Sequence, residues 1–247
     1  MNKLVSVIIP VTQNDPHLTS CLRAIRRSTY KNVETIVVDE GLERSAQRNI
    51  GMSRAKGEYF LFLDSDQEVS YDLIEDCVRK INGYVAVNIP ERVVTKGFFG
   101  RLRDWERQFY TGTCIDVPRF VKRGCPHFDE QQHGTEDSDW ARRLHPPFAL
   151  SESCFYHNDG VNLWSYLKKK SYYAKSMKRF RDRNPQDKIY NFWWRCFGVY
   201  FENGKWRMVL RKPHYFICLM GLVFIRGIIY IWFRQHHEMR RIWDYYI

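Results

Sequence analysis

Acidic side chains at three places along this 247-residue chain have the types and spacing to do chemistry together. Asp64 and Asp66 flank Ser65, Asp39 closes an apolar run, and Glu136 and Asp137 are adjacent. Two aspartates around a small residue can present carboxylates to a hard cation, and Mg2+ or Mn2+ prefers a few carboxylates together with phosphate oxygens. Such a site would hold a nucleoside diphosphate and stabilise its charge as it leaves. A third carboxylate nearby, Asp137, would take a proton from an incoming hydroxyl. A lone D-x-D is usually only a loop or cap; the weight here comes from three acidic groups, two of them closing strand-like runs.

Those groups need elements to position them. Leu4 to Pro10 is a short β-branched run ended by proline, as expected of a strand buried on both faces. Leu18, Leu22 and Ile25 then predict a helix over 16–27. A second buried strand covers Val33 to Val38, a helix Glu43 to Lys56 with Gly57 as its cap, and a third strand Tyr59 to Leu63. A helix over Tyr71 to Ile81 and a strand over Tyr84 to Ile89 follow. Val93 to Tyr110 lacks a clean period and is expected to be a loop or short helices. Thr135 is expected to cap a short helix, and Ser153 to His157 to form a last strand. This alternation predicts an α/β fold, a mostly parallel sheet with helices on both faces. Ligands bind such sheets beyond the carboxyl ends of the strands, where Thr12-Gln13-Asn14, Asp39-Glu40 and Asp64-Ser65-Asp66 fall.

Several segments in this order resemble the family 2 glycosyltransferases. They are Val5 to Pro10, Glu34 to Asp39, Arg48-Asn49-Ile50-Gly51, Ala55-Lys56-Gly57-Glu58-Tyr59 and Phe62-Leu63-Asp64-Ser65-Asp66. Gly134-Thr135-Glu136-Asp137 with Arg142 resembles the family's later acidic motif, in the form found in cellulose-synthase-like members. The resemblance covers roughly residues 4 to 160. It implies a GT-A, Rossmann-like nucleotide-sugar-binding fold, a GDP- or UDP-hexose donor, Mn2+ or Mg2+, and inversion at the anomeric carbon. Pro10, Thr12 and Asn14 would line the nucleotide pocket, and Asp39 would bind the base. Arg48 would support the donor site, Asp64 would face the donor sugar or ribose, and Asp66 would bind metal and diphosphate. Asp137 would be the catalytic base, with Glu136 beside it. His157 would either bind the metal or hydrogen-bond the chain or the acceptor. Trp140 and Arg142 are candidates for the acceptor or sugar, Trp140 being equally suited to the core. The Q-x-x-R-W motif of the processive members is not found, so transfer of a single sugar, mannose or glucose, is expected rather than polymerisation.

Charge divides the chain. Residues 161–247 hold 18 Lys and Arg against 5 Asp and Glu, while residues 1–160 hold 21 against 23. The expected division is therefore a catalytic domain over 1–160 and a basic, amphipathic appendage over 161–247. Within the latter, 215–233 is a hydrophobic segment expected to be membrane-embedded, and its one charge, Arg226, leaves open whether it spans the membrane or lies in its plane. Anionic headgroups are its natural partner, and a lipid-linked acceptor such as a polyprenyl or dolichyl phosphate follows. Seven widely spaced cysteines with no C-x-x-C pair argue against a disulfide framework or zinc site. Together with a start unlike a signal peptide, they make a reducing compartment the expectation, which fits the cytosolic nucleotide-sugar donor that the resemblance implies and a catalytic domain on the cytoplasmic face of a membrane, as in the dolichyl-phosphate-sugar synthases. No nucleic acid is expected as a partner, because the apolar run does not suit a basic binding stripe. A glycosyltransferase-like scaffold without activity is disfavoured by the intact aspartates, and a homo-oligomer is left open.

Overall fold

The structure is a computed structural model that describes residues 3–132, 134–158 and 162–235, with backbone alone for 169–178 and 230–235. The parts of the 161–247 appendage at 161 and 236–247, and the side chains expected to make its first helix amphipathic over 169–178, lie outside what is described. In chain order the first elements are β1 (Val5–Pro10), α1 (Leu18–Arg27), β2 (Val33–Val38), α2 (Arg44–Arg54), β3 (Tyr59–Phe62) and β4 (Gln67–Val69). Next come α3 (Leu73–Lys80), β5 (Ala86–Asn88), β6 (Glu91–Val93), α4 (Gly97–Tyr110), β7 (Phe120–Lys122) and α5 (Glu136–Arg143). The last are β8 (Ala149–Leu150), β9 (Phe155–His157), α6 (Leu163–Arg183), α7 (Val199–Phe201), α8 (Trp206–Arg211) and α9 (Pro213–Gln235).

Six strands form one sheet in the order β2-β1-β3-β7-β5-β8. β1 is parallel to β2 and β3, β5 is parallel to β8, and β7 runs antiparallel to both its neighbours. The alternation of side chains along β1 explains the layering. Val5, Val7 and Ile9 enter a core with Cys21 and Ile25 of α1 and Leu73, Ile74 and Cys77 of α3. Ile8 points the other way, to Met52 of α2 and Trp140 of α5. Helices therefore cover both faces. Each fully buried Val or Ile is worth about 1.5–3 kcal/mol, enough to fix the strand register. That register pairs Pro10 with Val38 and Ile8 with Phe62, so β1, β2 and β3 end along one edge. A small second sheet, β4-β9-β6, brings His157 opposite Gln67.

Two glycines permit close approach. A Cβ on Gly51 would lie 2.2 Å from Ile8 Cγ2, so α2 rests directly on β1 there. Gly57 does not cap α2, whose C-cap is Ala55. It lies against β1 instead, donating its N–H to Ser6 Oγ at 2.8 Å where a Cβ would clash.

The stretch expected to be irregular is a 14-residue helix, α4. Its buried face carries Arg103 and Glu106 among Leu102, Trp105 and Phe109, and those internal charges conceal the apolar period. α4 forms a third core with Tyr166 of α6, Val199 and Tyr200 of α7, Val209 of α8, and Leu219 and Leu222 of α9. The expectation of a hydrophobic membrane segment over 215–233 is corrected only as to a span. Among the described residues no helix is long and apolar enough to cross a membrane. α9 packs along α6 and against α4 and α8, and Arg226 donates to the fully buried Glu106 at 2.7 Å.

Candidate active site

Strand register brings the acidic groups to one edge. Asp64 follows β3, Arg48 rises from the first half of α2, and Asp137 lies in the first turn of α5. Arg48 is completely buried and uses two nitrogens as a bridge: Nη2 donates to Asp64 Oδ1 at 3.0 Å and Nη1 donates to Asp137 Oδ1. Its guanidinium lies 5.2 Å from the Phe128 ring centroid. Arg119, just before β7, closes the other side, 3.6 Å from Asp64 Oδ2 and 3.5 Å from Asp137 Oδ2.

The electrostatics follow from this geometry. Burial alone would raise the Asp64 carboxyl, but Arg119 and Arg48 outweigh it and hold the group far below the usual carboxylate range. Asp137 behaves likewise, lowered against its burial by Arg48 and Arg119. Glu136 moves the opposite way, raised by burial and by its neighbour Asp137. Arg48 is held charged by Asp137 and Asp64 in spite of its burial.

Asp66 turns to a second arrangement. Its Oδ2 lies 3.1 Å from His157 Nε2, while His157 Nδ1 is 2.7 Å from Glu91 Oε1 and Glu91 is 3.3 Å from Arg107 of α4. Burial disfavours the imidazolium, yet hydrogen bonds to Asp66 and Glu91 raise the ring to about 9. Asp66 Oδ1 is shielded from solvent and accepts no hydrogen bond from the described residues. Among those residues no group of three or more His, Cys, Asp or Glu side chains is placed to hold a metal ion. Asp66, with an unpaired buried oxygen, fits Mn2+ or Mg2+ that takes its remaining ligands from phosphate and water, and His157 would join it as a ligand on giving up its Nε2 proton.

The other expected residues separate into two groups. Pro10 ends β1, and Thr12, Asn14 and Asp39 are exposed along the same edge. Their loop touches the Asp64–Asp66 turn where Ser65 Oγ donates to Asp15 Oδ2 at 2.5 Å. Trp140 and Arg142 are corrections. Trp140 is 1% exposed, stacks on Phe128 at 4.6 Å, meets Phe62 edge-on and donates Nε1–H to Pro126 O; it is core and cannot face a sugar. Arg142 is consumed by a bidentate pair with Asp187 and a bond to Cys114 O, which ties α5 to the chain after α6. Thr135 occupies the N-cap of α5 without a capping side-chain bond, its hydroxyl accepting from Gln132 instead. Sequence reasoning missed Arg119, Glu91 and Arg107. The one available signal was Arg119 directly before the apolar pair Phe120-Val121, a charge at a strand start.

Residues 40–129 match the family model described as Glycosyl transferase family 2. That segment of the chain is similar to the family 2 glycosyltransferases, and the match covers a little over a third of its length. Among curated proteins it is similar to the glycosyltransferase GlyG of Streptococcus pneumoniae serotype 4, 29% identical over 33% of this chain and 36% of that one. It is also similar to the glycosyltransferase GlyA of the same organism, 32% identical over 33% of this chain and 16% of that one. The match thus spans little more than a third of GlyG and less of GlyA. Among solved structures, the mannosyltransferase PcManGT from Pyrobaculum calidifontis, in complex with GDP-Man and Mn2+, aligns with a TM-score of 0.61 at 15% identity, over 94% of this chain and 88% of that one. S. aureus TarS 1-349 in complex with UDP-GlcNAc aligns at 0.52 and 15% identity, over 87% and 78%. At such identities the likeness is one of fold: the domain has the mixed α/β, parallel-rich architecture of its GT-A-like neighbours.

Proposed function

We propose that the chain is a metal-dependent, inverting glycosyltransferase that moves a single hexose, mannose or glucose, from a GDP- or UDP-sugar to a lipid-linked acceptor. The observation that carries the reading is the meeting of Asp64, Arg48 and Asp137 two residues from the Asp66–His157 pair. The donor-bound neighbours support it: one holds GDP-Man with Mn2+, the other UDP-GlcNAc.

Pro10, Thr12, Asn14 and Asp39 receive the nucleotide at the strand edge. Asp66 and His157 would hold the cation, and that cation would supply charge neutralisation for the departing diphosphate. Glu91 orients the imidazole through Nδ1. Arg48 and Arg119 keep Asp137 ionised, the state in which its carboxylate would take the acceptor's proton as the hydroxyl attacks the anomeric carbon. A polyprenyl or dolichyl phosphate, or a lipid-linked oligosaccharide, would reach this base at the cytoplasmic face of a membrane.

A thermal-shift screen of nucleotide sugars with and without Mn2+ tests the donor half. A stabilising, metal-dependent response to a GDP- or UDP-hexose is expected, and no response to any nucleotide would refute the reading. The base is tested by Asp137→Asn, expected to lower turnover ~10²–10⁴-fold while sparing donor binding. Near-normal turnover would remove Asp137 from the role.

A further inference from the structure

The one charge in the apolar run of α9 is turned inward. Leu219, Leu222 and Arg226, at i, i+3 and i+7, face the domain, with the two leucines buried and the Arg226 guanidinium on Glu106. Glu106 is itself fully buried and also engaged by Arg103 and Tyr110, so this ion pair fixes the rotation of the helix about its axis. The opposite face then shows Ile217, Gly221, Phe224 and Ile228, at i, i+4, i+7 and i+11, with no charge among them. Ile217 is 72% exposed and Phe224 70%. Exposed aromatic and aliphatic side chains extend from the chain before α9. Trp193 stacks on Phe197 at 5.9 Å, Phe201 meets Phe216 of α9 edge-on, and Trp206 and Leu210 of α8 are open to solvent.

Charge says what covers this surface. Residues 203–235 contain no Asp or Glu, and Arg207, Arg211 and Lys212 are exposed along α8 and the start of α9. A two-fold contact with a second copy would set those cations against their own equivalents, with no acidic residue in the segment to answer them. Apolar side chains edged with aromatics and cations suit the headgroup boundary of an anionic bilayer.

We propose that α9 lies in the plane of an anionic membrane rather than across it, with Ile217, Phe224 and Ile228 inserted and Arg211 and Lys212 on the headgroups, held in that rotation by the Arg226–Glu106 pair. This deepens the lipid-linked-acceptor reading and rests on it for the purpose of the surface.

Flotation of the full chain with phosphatidylcholine vesicles, with and without 30 mol% phosphatidylglycerol, tests it. Binding to the anionic vesicles, weakened by high salt, is expected. Ile217→Glu/Phe224→Glu should reduce it more than about a hundredfold, since two inserted side chains are lost. Arg211→Gln/Lys212→Gln should reduce it about thirtyfold, at ~1 kcal/mol per cation. All variants should keep the donor-induced thermal shift of the parent, and sedimentation velocity should find each a monomer. The proposal falls if the parent stays with the soluble fraction, or if Ile217→Glu/Phe224→Glu binds vesicles like the parent. It falls equally if the parent is a dimer that this variant dissociates, which would make the face a contact between copies. Because donor response is read on the same samples, loss of the enzymatic reading and loss of the membrane reading give different patterns.

Discussion

Arg48→Met should destabilise the protein by about 3 kcal/mol, because one guanidinium neutralises two carboxylates with no water of its own. Arg48 is 0% exposed, and Asp64 and Asp137 are 17% and 24% exposed at their side chains. At an effective dielectric of 20, a pair at 3.0 Å is worth roughly 5–6 kcal/mol before desolvation is subtracted. Removing one partner of a buried pair costs about 3–5 kcal/mol, because the survivor is left charged and dry. Two stranded anions favour the upper end, whereas Arg119, still 3.5–3.6 Å from both, favours the lower. For a chain of this size about 3 kcal/mol corresponds to a fall of roughly 6–12 °C in Tm. The assay is urea denaturation at neutral pH without metal, on the parent, on Arg48→Met, and on the triple variant Arg48→Met/Asp64→Asn/Asp137→Asn. The triple variant should recover most of the loss, since the orphaned charges go with their counterion. A loss below about 1 kcal/mol in the single variant, or no recovery in the triple, would show that the bridge is not what stabilises this edge.

Acid stability offers a related test. Asp64 and Asp137 titrate below their unfolded values, so their contribution is complete above about pH 4 and is lost as pH falls through their folded pKa values. Tm measured from pH 7 to 2 should begin to fall near pH 4 and keep falling to the end of the range in the parent, and fall less in Asp64→Asn/Asp137→Asn; parallel curves would contradict the assignment. His157→Ala should abolish the Mn2+-dependent thermal shift and Glu91→Gln should weaken Mn2+ affinity ~10–100-fold; an undiminished shift in His157→Ala would exclude the imidazole as a ligand. Gly51→Ala should lower stability by about 1–3 kcal/mol, since its Cβ would sit 2.2 Å from Ile8 Cγ2; an unchanged denaturation midpoint would mean that α2 can lift off β1 freely.

The strands β1, β2 and β3 were legible because a parallel sheet covered on both faces demands continuous apolar runs, and these end beside Asp39 and Asp64. That rule reached Asp64 but not Asp137, which lies in the first turn of α5 and was placed beside the donor site by the family resemblance. α4 was hidden because its inward face holds Arg103 and Glu106, which a periodicity argument counts as solvent-facing. Arg119, Glu91 and Arg107 escaped for another reason. Their importance lies in pairing across 16 to 66 residues of sequence, as Arg107 does with Glu91 and Glu91 with His157, and local spacing carries no trace of it. Trp140 and Arg142 share a short helix with the acidic pair, yet successive positions on a helix point about 100° apart. The helix that offers Asp137 to the cleft thus buries Trp140 and spends Arg142 on Asp187.

That angular rule has one more consequence, in α4. Glu106 grips Arg226 of the apolar helix, and the very next residue, Arg107, grips the carboxylate behind His157. A single peptide unit, about 1.5 Å of rise, separates the anchor of the outlying helix from the scaffold of the Asp66–His157 pair. The two contacts therefore share one helix, so a substitution that shifts α4 would disturb the Arg226–Glu106 and Arg107–Glu91 pairs together.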